Sequence, residues 1–461
     1  MADNATRYES DSMGQIALPA DAYWGAQAQR ACLNFAVSPL RIPVPMLRSL
    51  ARIKKAAAAA NVKLGLLEQR FGDAIIVACT EILDGKFDGH FPVDVFQTGS
   101  GTSWNMNINE VVANRANEIL GGEKGSRSPV HPNDHVNKGQ SSNDVIPTAI
   151  SMATRLGAAE LTDSIIHLQK TLARKAEEFS HIIKLGRTHL QDAVPITLGQ
   201  EFSAYAEQMK KGEDRIRSCF PRLEELALGG TAVGTGLNTH PDFADLATGI
   251  IADDTGVLFR GAVNRFEAIA ARDAQLELMG AVNTVAAGFM KIAQDLRLLS
   301  SGPRAAIGEI KLPSLQPGSS IMPGKINPVI PEMVIQVVAH IMGKHLSVSV
   351  ACQNAPFELN IMQPLIAYET ISALELLKNA SVAFADRCIQ GITADAEQCR
   401  SLIDLSLAIV TPLALEIGYD RAAQIAHKAY REKKRVIEVV VEEGVLSQEE
   451  AERVLDPAAM L

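Results

Sequence analysis

Residues 161–179 read LTDSIIHLQKTLARKAEEF. Leu161, Ile165, Leu168, Leu172 and Phe179 recur there at spacings of 4, 3, 4 and 7. That is the a/d stripe of a helix that packs lengthwise against others. The helix carrying it is expected to start near Pro147. Outward from it, further helical windows cover roughly 197–227, 262–300, 328–351 and 362–390. Polar loops at 181–196, 229–243, 301–327 and 352–361 separate them. Five long helices joined by polar loops predict an all-α fold built on an extended bundle. No βαβ alternation and no internal repeat interrupts this pattern. A strictly amphipathic helix of this length is seldom covered by its own chain, so the bundle also predicts oligomerisation.

The flanks differ. The first 45 residues mix Gly, Pro and aromatics and read as irregular. A helix follows from Pro45 and ends at Gly65. The polar run 99–109 precedes a helix over NEVVANRANEIL, and 121–144 reads as a long ordered loop. From about 393 the helices shorten. The expected organisation is a mostly helical N-terminal domain (1–138), a central long-helix bundle (139–392) and a small C-terminal helical domain (393–461).

Composition bounds the function. Of 461 residues, 47% are hydrophobic and only 5% aromatic, which suits close-packed helices better than a β-sandwich. The net charge of −9 disfavours nucleic acid as a partner. The six cysteines are scattered with no C-x-x-C pair and read as free thiols of a reducing compartment. The polar, acidic start MADNATRYESDS does not resemble a targeting peptide. No run of about 18 uninterrupted apolar residues is found. A cytoplasmic protein with no membrane partner is expected.

The chemistry-bearing segments are loops. QPGSSIMPGKINP, residues 316–328, resembles a phosphate-binding P-loop at first sight. It has one residue too many between its glycines, and Ile326 stands where a magnesium-binding hydroxyl is needed. What remains is Lys325, Asn327, Ser319 and Ser320 on a Gly/Pro-shaped backbone, a set suited to a carboxylate. Three other stretches are dense in neutral donors: QTGSGTSWNMN with Ser100 and Thr102, NKGQSSND with Ser141, Ser142 and Asn143, and LGRTHLQD with Thr188 and His189. Each alone reads as capping and turn chemistry. Together around one Lys they suit a small polar dianion. A Glu332–His189 pair would raise the imidazole's basicity. In HPNDH, His131 and His135 have a spacing that metal ligands use, but Pro132 and the Asn/Asp content disfavour the helix that would align them. No metal and no cofactor is expected.

Taken together these segments resemble the fumarase/aspartase superfamily. GSSIMPGKINP matches its signature G-S-x-x-M-x-x-K-x-N. TGSGTSWNMNINEV, HPNDHVNKGQSSND, GRTHLQDAVPITLGQE, GGTAVGTGLNTHP and SSGPRAAIGEI follow in the family's order. The resemblance implies a mainly α, three-domain fold with a central five-helix bundle. It implies a homotetramer with a 20-helix core and active sites shared by three subunits. It implies a small dicarboxylate substrate and anti addition–elimination across fumarate through an aci-carboxylate carbanion. Ser319 matches the proton-abstracting serine on a mobile loop, and His189 with Glu332 the active-site histidine and its partner. Ser100, Thr102, Ser141, Ser142, Asn143, Thr188, Lys325 and Asn327 match substrate-binding positions. His131, Asn133 and Asp134 match a second carboxylate site, although the arginine that precedes it in some members stands one residue off, at Arg127. GSGTS, GQSSND and FELN at 357–360 favour fumarate hydration; LPSLQPGSS and NPVIPEMV lean toward aspartate ammonia-lyase, the alternative. A non-catalytic scaffold of the same superfamily is the third reading.

Overall fold

The computed structural model describes residues 6–461; residues 1–5 of the polar N-terminal stretch lie outside the described residues. The fold is mainly α. The long helices are Ser142–Glu178, Leu198–Arg217, Asp273–Leu299, Val329–Cys352 and Gln363–Arg387; the windows expected over 197–227 and 262–300 each break into a long helix and a short one, Phe220–Leu223 and Arg265–Ala270. Leu161, Ile165, Leu168 and Leu172 are fully buried, and Phe179 is buried just past the helix end. The stripe therefore does what its spacing predicts.

Two compact units can be distinguished. One comprises Met1–Thr162, Asp214–Thr284 and His340–Leu377; the other comprises Asp163–Glu213, Val285–Ala339 and Lys378–Leu461. In the first, helices Val44–Lys63, Gln69–Leu83 and Thr102–Ile119 enclose an apolar core of Leu50, Ile53, Ile75, Ile108 and Val112. In the second, Leu413, Ile425, Val436, Val439 and Val440 form a small core near the C-terminus. The stretch 421–444 is two helices, Tyr419–Glu432 and Val436–Glu442, because Lys433 takes a left-handed cap with φ 53°.

Several local expectations are corrected. The first 45 residues contain a hairpin, Thr6–Asp11 with Gly14–Pro19, and a helix, Ala26–Asn34. The helix expected from Asn109 starts at Thr102, and the one expected near Pro147 starts at Ser142. In the first case buried Asn105, Asn107 and Asn109 find tertiary partners in Asn137, Ser142 and the His90 carbonyl. Those bonds offset their weak helix propensity. In the second, Ser141 and Asp144 cap the helix ahead of the proline. The 121–144 loop includes a short π-helical turn, Pro132–Val136. The 181–196 loop is a β-hairpin, Ile183–Thr188 with Gln191–Thr197. Among the described residues, β structure amounts to four two-stranded pairings and one isolated bridge, Arg41 with Asp94.

Asp273–Leu299 and Val329–Cys352 are long and apolar enough to cross a membrane by length and composition. Half of the most apolar window of the first is buried within the chain, but only 28% of the second. The second carries Lys344, which makes a largely buried ion pair with Glu369 at 2.6 Å.

Candidate active site

In the first unit two helix starts lie side by side. Gly101, at φ 72°, brings the start of Thr102–Ile119 against Ile146, about 3.0 Å from where a Cβ would stand. Asn105, one turn along, donates to Ser142 Oγ at 3.0 Å on the neighbouring helix. Ser100 Oγ and Thr102 Oγ1 are 2.8 Å apart. Gly99 is required here: a Cβ would lie 1.8 Å from the Ile361 carbonyl oxygen. Helix N-termini carry partial positive charge and spare N–H groups. Two of them beside Ser100, Thr102, Ser142 and Asn143 form a neutral, donor-rich place for an anion.

Buried ionisable groups support this floor. Lys54 donates to Asn137 Oδ1 and Gln140 Oε1, both at 2.9 Å. Asn105 and Asn109 donate to the same Asn137 oxygen at 3.2 Å. Burial lowers the Lys54 ammonium to about 7, opposed by the charge of Asp144. Burial raises the Asp144 carboxyl to about 6, offset by N–H groups of Ser141, Thr231 and Gly229 and by Lys54. Neither residue stood out in the sequence; the available signal was the S-x-x-D capping pattern of Ser141 and Asp144.

A cavity of about 650 Å³ opens beside these groups, lined in part by Asn133, Asp134, Lys138, Ser141, Thr231 and Asn238. It brings Asn133 and Asp134 together with Ser141. His131 Nδ1 accepts from the N–H groups of Asn133 (3.3 Å) and Asp134 (3.2 Å). The His135 Nδ1 accepts the His131 N–H at 2.8 Å. One nitrogen of each ring is thus occupied by backbone.

In the second unit, Thr188 ends one strand of the hairpin and His189–Leu190 form its two-residue turn. Both turn residues have positive φ, 55° and 59°. Primed turns of this kind fit the twist of paired strands but normally use Gly or Asn. Thr188 and His189 are exposed. The strand behind them is anchored by Arg187, whose guanidinium donates twice to buried Glu309 at 2.9 and 3.0 Å. Lys184 adds a buried ion pair to Glu309 at 3.3 Å. The SSGPRAAIGEI block, which holds Glu309, thus braces the histidine turn; sequence reasoning gave it no role.

The 316–328 loop closes on itself. The Gly318 N–H donates to the Lys325 carbonyl at 2.9 Å, and Asn327 Nδ2 donates to the Gly318 carbonyl at 2.6 Å. A Cβ on Gly318 would meet the Lys325 oxygen at 2.3 Å, so this glycine closes a ring and is not a free hinge. Gly324, at φ 83° and with open space around it, is the permissive position. Inside the ring Ser319 Oγ accepts the N–H groups of Ile321 (3.2 Å) and Met322 (3.1 Å). Donors aimed at a hydroxyl oxygen favour its anionic form. Lys325 is exposed, and Glu332 lies in the first turn of the next helix. Among the described residues no hydrogen bond or ion pair joins His189 to Glu332 within the chain.

Thus one unit gathers Ser100, Thr102, Ser141, Ser142, Asn143, His131, Asn133 and Asp134. The other holds Thr188, His189, Ser319, Lys325, Asn327 and Glu332.

Comparison with known proteins gives these features a lineage. A family model described as Lyase matches residues 14–343, and one described as Fumarase C C-terminus matches residues 409–461. The chain is 52% identical over 455 residues to a class II fumarate hydratase of Halobacterium salinarum, covering 98% of this chain and 97% of that one. It is 48% identical over 457 residues to a class II fumarate hydratase of Methylorubrum extorquens, covering 99% and 97%. The crystal structure of a class II fumarase from Schistosoma mansoni superposes with a TM-score of 0.96 at 41% identity, covering 99% of each chain. With a family model matched over residues 14–343 and hydratase relatives matched over nearly their whole length, the chain belongs to this lyase family and carries the family's fumarase C type of C-terminus.

Proposed function

We propose that the chain catalyses the reversible anti hydration of fumarate to L-malate, the reaction for which its class II relatives are named. The observation that carries this reading is the full-length identity to those hydratases. The paired helix starts with their neutral donors supply a suitable seat for a dicarboxylate. Read from malate, Ser319 takes a proton from the carbon beside one carboxylate. The electron pair left behind spreads into that carboxylate as an aci form. Lys325 and Asn327 bind it there, where charge grows most in the transition state. The carbon–oxygen bond on the neighbouring carbon then breaks, and the departing hydroxide takes up a proton to leave as water. The N–H groups of Ile321 and Met322 stabilise the Ser319 oxyanion that the first step needs. Ser100, Thr102, Ser141, Ser142, Asn143 and Thr188 orient the substrate, and His189 with Glu332 completes the site.

The same reading makes the assembly a cytoplasmic homotetramer whose sites draw on three subunits. Two observations favour it. Met342, Leu346 and Val350, four residues apart on one helix, are 40%, 65% and 51% exposed, an apolar stripe without cover in the single chain. Among the described residues His189 and Glu332 also form no pair with each other, which is compatible with their meeting between copies. Asn133 and Asp134, sharing a cavity with Ser141, form the second carboxylate site with His131. Hydration of fumarate in heavy water, followed by proton NMR, tests the chemistry. Malate bearing one deuteron, placed anti to the new hydroxyl, is expected; deuterium at random positions or no malate overturns it.

A further inference from the structure

The block GGTAVGTG, residues 229–236, has no part in the chemistry above, yet it is tied to it through one carboxylate. Asp144 is fully buried. Its Oδ1 accepts the Ser141 N–H at 2.9 Å, while Ser141 Oγ accepts the Asn143 N–H at 3.2 Å. Those two bonds occupy N–H groups at the helix start. The second oxygen goes beyond capping. Oδ2 accepts the N–H groups of Gly229 (2.9 Å) and Thr231 (3.0 Å), 85 and 87 residues away in sequence. The turn so held is unusual: Gly229 has φ 89° and Thr231 φ 54°. Its next carbonyl, that of Ala232, accepts the Asn143 side-chain N–H at 2.9 Å. This bond fixes which end of the Asn143 amide faces the turn and leaves Oδ1 for the open side.

We propose that Asp144 is a positioning residue: by holding the Gly229–Ala232 turn against the helix start, it sets the amide orientation with which Asn143 meets the substrate. The inference rests on the hydratase reading, in which Asn143 binds substrate. Three N–H donors converge on one carboxylate, and only a group with acceptors on both oxygens serves them all. In Asp144→Asn the amide NH₂ must oppose at least one of them. Either the Ser141 cap or the turn is then released.

The test is a double-variant cycle on fumarate hydration with Asp144→Asn, Asn143→Ala and the two combined. KM is expected to rise about 10-fold or more in Asp144→Asn with a smaller fall in kcat, since binding geometry is lost before chemistry. If Asp144 acts through Asn143, the double variant is no worse than Asn143→Ala alone. A merely structural role gives losses that multiply, and that result overturns the proposal. Should Asp144→Asn fail to fold, Gly229→Ala replaces it in the same cycle. A Cβ at Gly229 would stand 2.4 Å from the Ala244 Cβ, so the turn must shift while the carboxylate stays. A wild-type chain that does not hydrate fumarate overturns the hydratase reading and this inference with it. Multiplying losses in an active enzyme overturn this inference alone.

Discussion

Ser319 Oγ accepts the backbone N–H of Met322 at 3.1 Å, so the candidate base already faces a donor that stabilises its ionised form. Replacement by Ala removes the base and leaves the ring bond between Gly318 and Lys325 in place. Ser319→Ala should lower kcat by about 10²–10⁴-fold, the usual worth of a positioned general base. Sedimentation and circular dichroism should match wild type. Unchanged turnover removes Ser319 from its role.

Gly318→Ala tests whether the loop must be closed. The added methyl would meet the Lys325 oxygen at 2.3 Å and the Asn327 N at 2.9 Å. The ring must open, displacing Ser319, Lys325 and Asn327 together. Steady-state kinetics should show kcat/KM down by at least about 10²-fold, the scale of misplacing a reacting group, with little change in melting temperature. Gly324→Ala, in open space but at φ 83°, should cost less.

The His189–Leu190 turn stores backbone strain. A left-handed conformation costs an L-residue roughly 1–2 kcal/mol, and glycine gives back roughly 0.5–1 kcal/mol through its looser unfolded state. Leu190→Gly should therefore stabilise the protein by up to about 1 kcal/mol, visible as a small rise in melting temperature with His189 kept in place. A fall accompanied by smaller assemblies would instead mark exposed Leu190 as a contact between copies.

These local features show how far the sequence was legible. The Leu161–Phe179 stripe was readable because the helical period acts on neighbouring residues. Lys325 and Ser319 were readable because the loop carrying them is continuous. The hairpin at 183–197 was missed because a His-Leu turn carries none of the usual turn residues, and Arg187–Glu309, 122 residues apart, holds it from outside. Asp144 and Lys54 were missed for the same reason: their partners are distant in sequence, and a buried charge looks like any other charge until its surroundings are known.

Lys54 gives the fold a pH dependence of known sign. Its ammonium is lowered from 10.5 to about 7 by burial. Between those values the unfolded chain binds more protons than the folded one, so this group's contribution to stability rises with pH and is lost as pH falls toward 7. The slope is at most about 1.4 kcal/mol per pH unit. Lys54→Met should flatten the melting temperature between pH 7 and 10 relative to wild type. An unchanged slope contradicts the buried, weakly basic ammonium.

Leu346→Glu places a charge in the exposed apolar stripe with Met342 and Val350. If that stripe joins copies, sedimentation should show smaller species and hydration should fall with them, while helicity persists. An intact assembly of full activity would move the interface elsewhere.

The most direct measurement follows fumarate by its ultraviolet absorbance with the wild-type chain supplied with L-malate or with L-aspartate. Fumarate is predicted to form from malate and not from aspartate. Fumarate from aspartate with none from malate would contradict the hydratase reading.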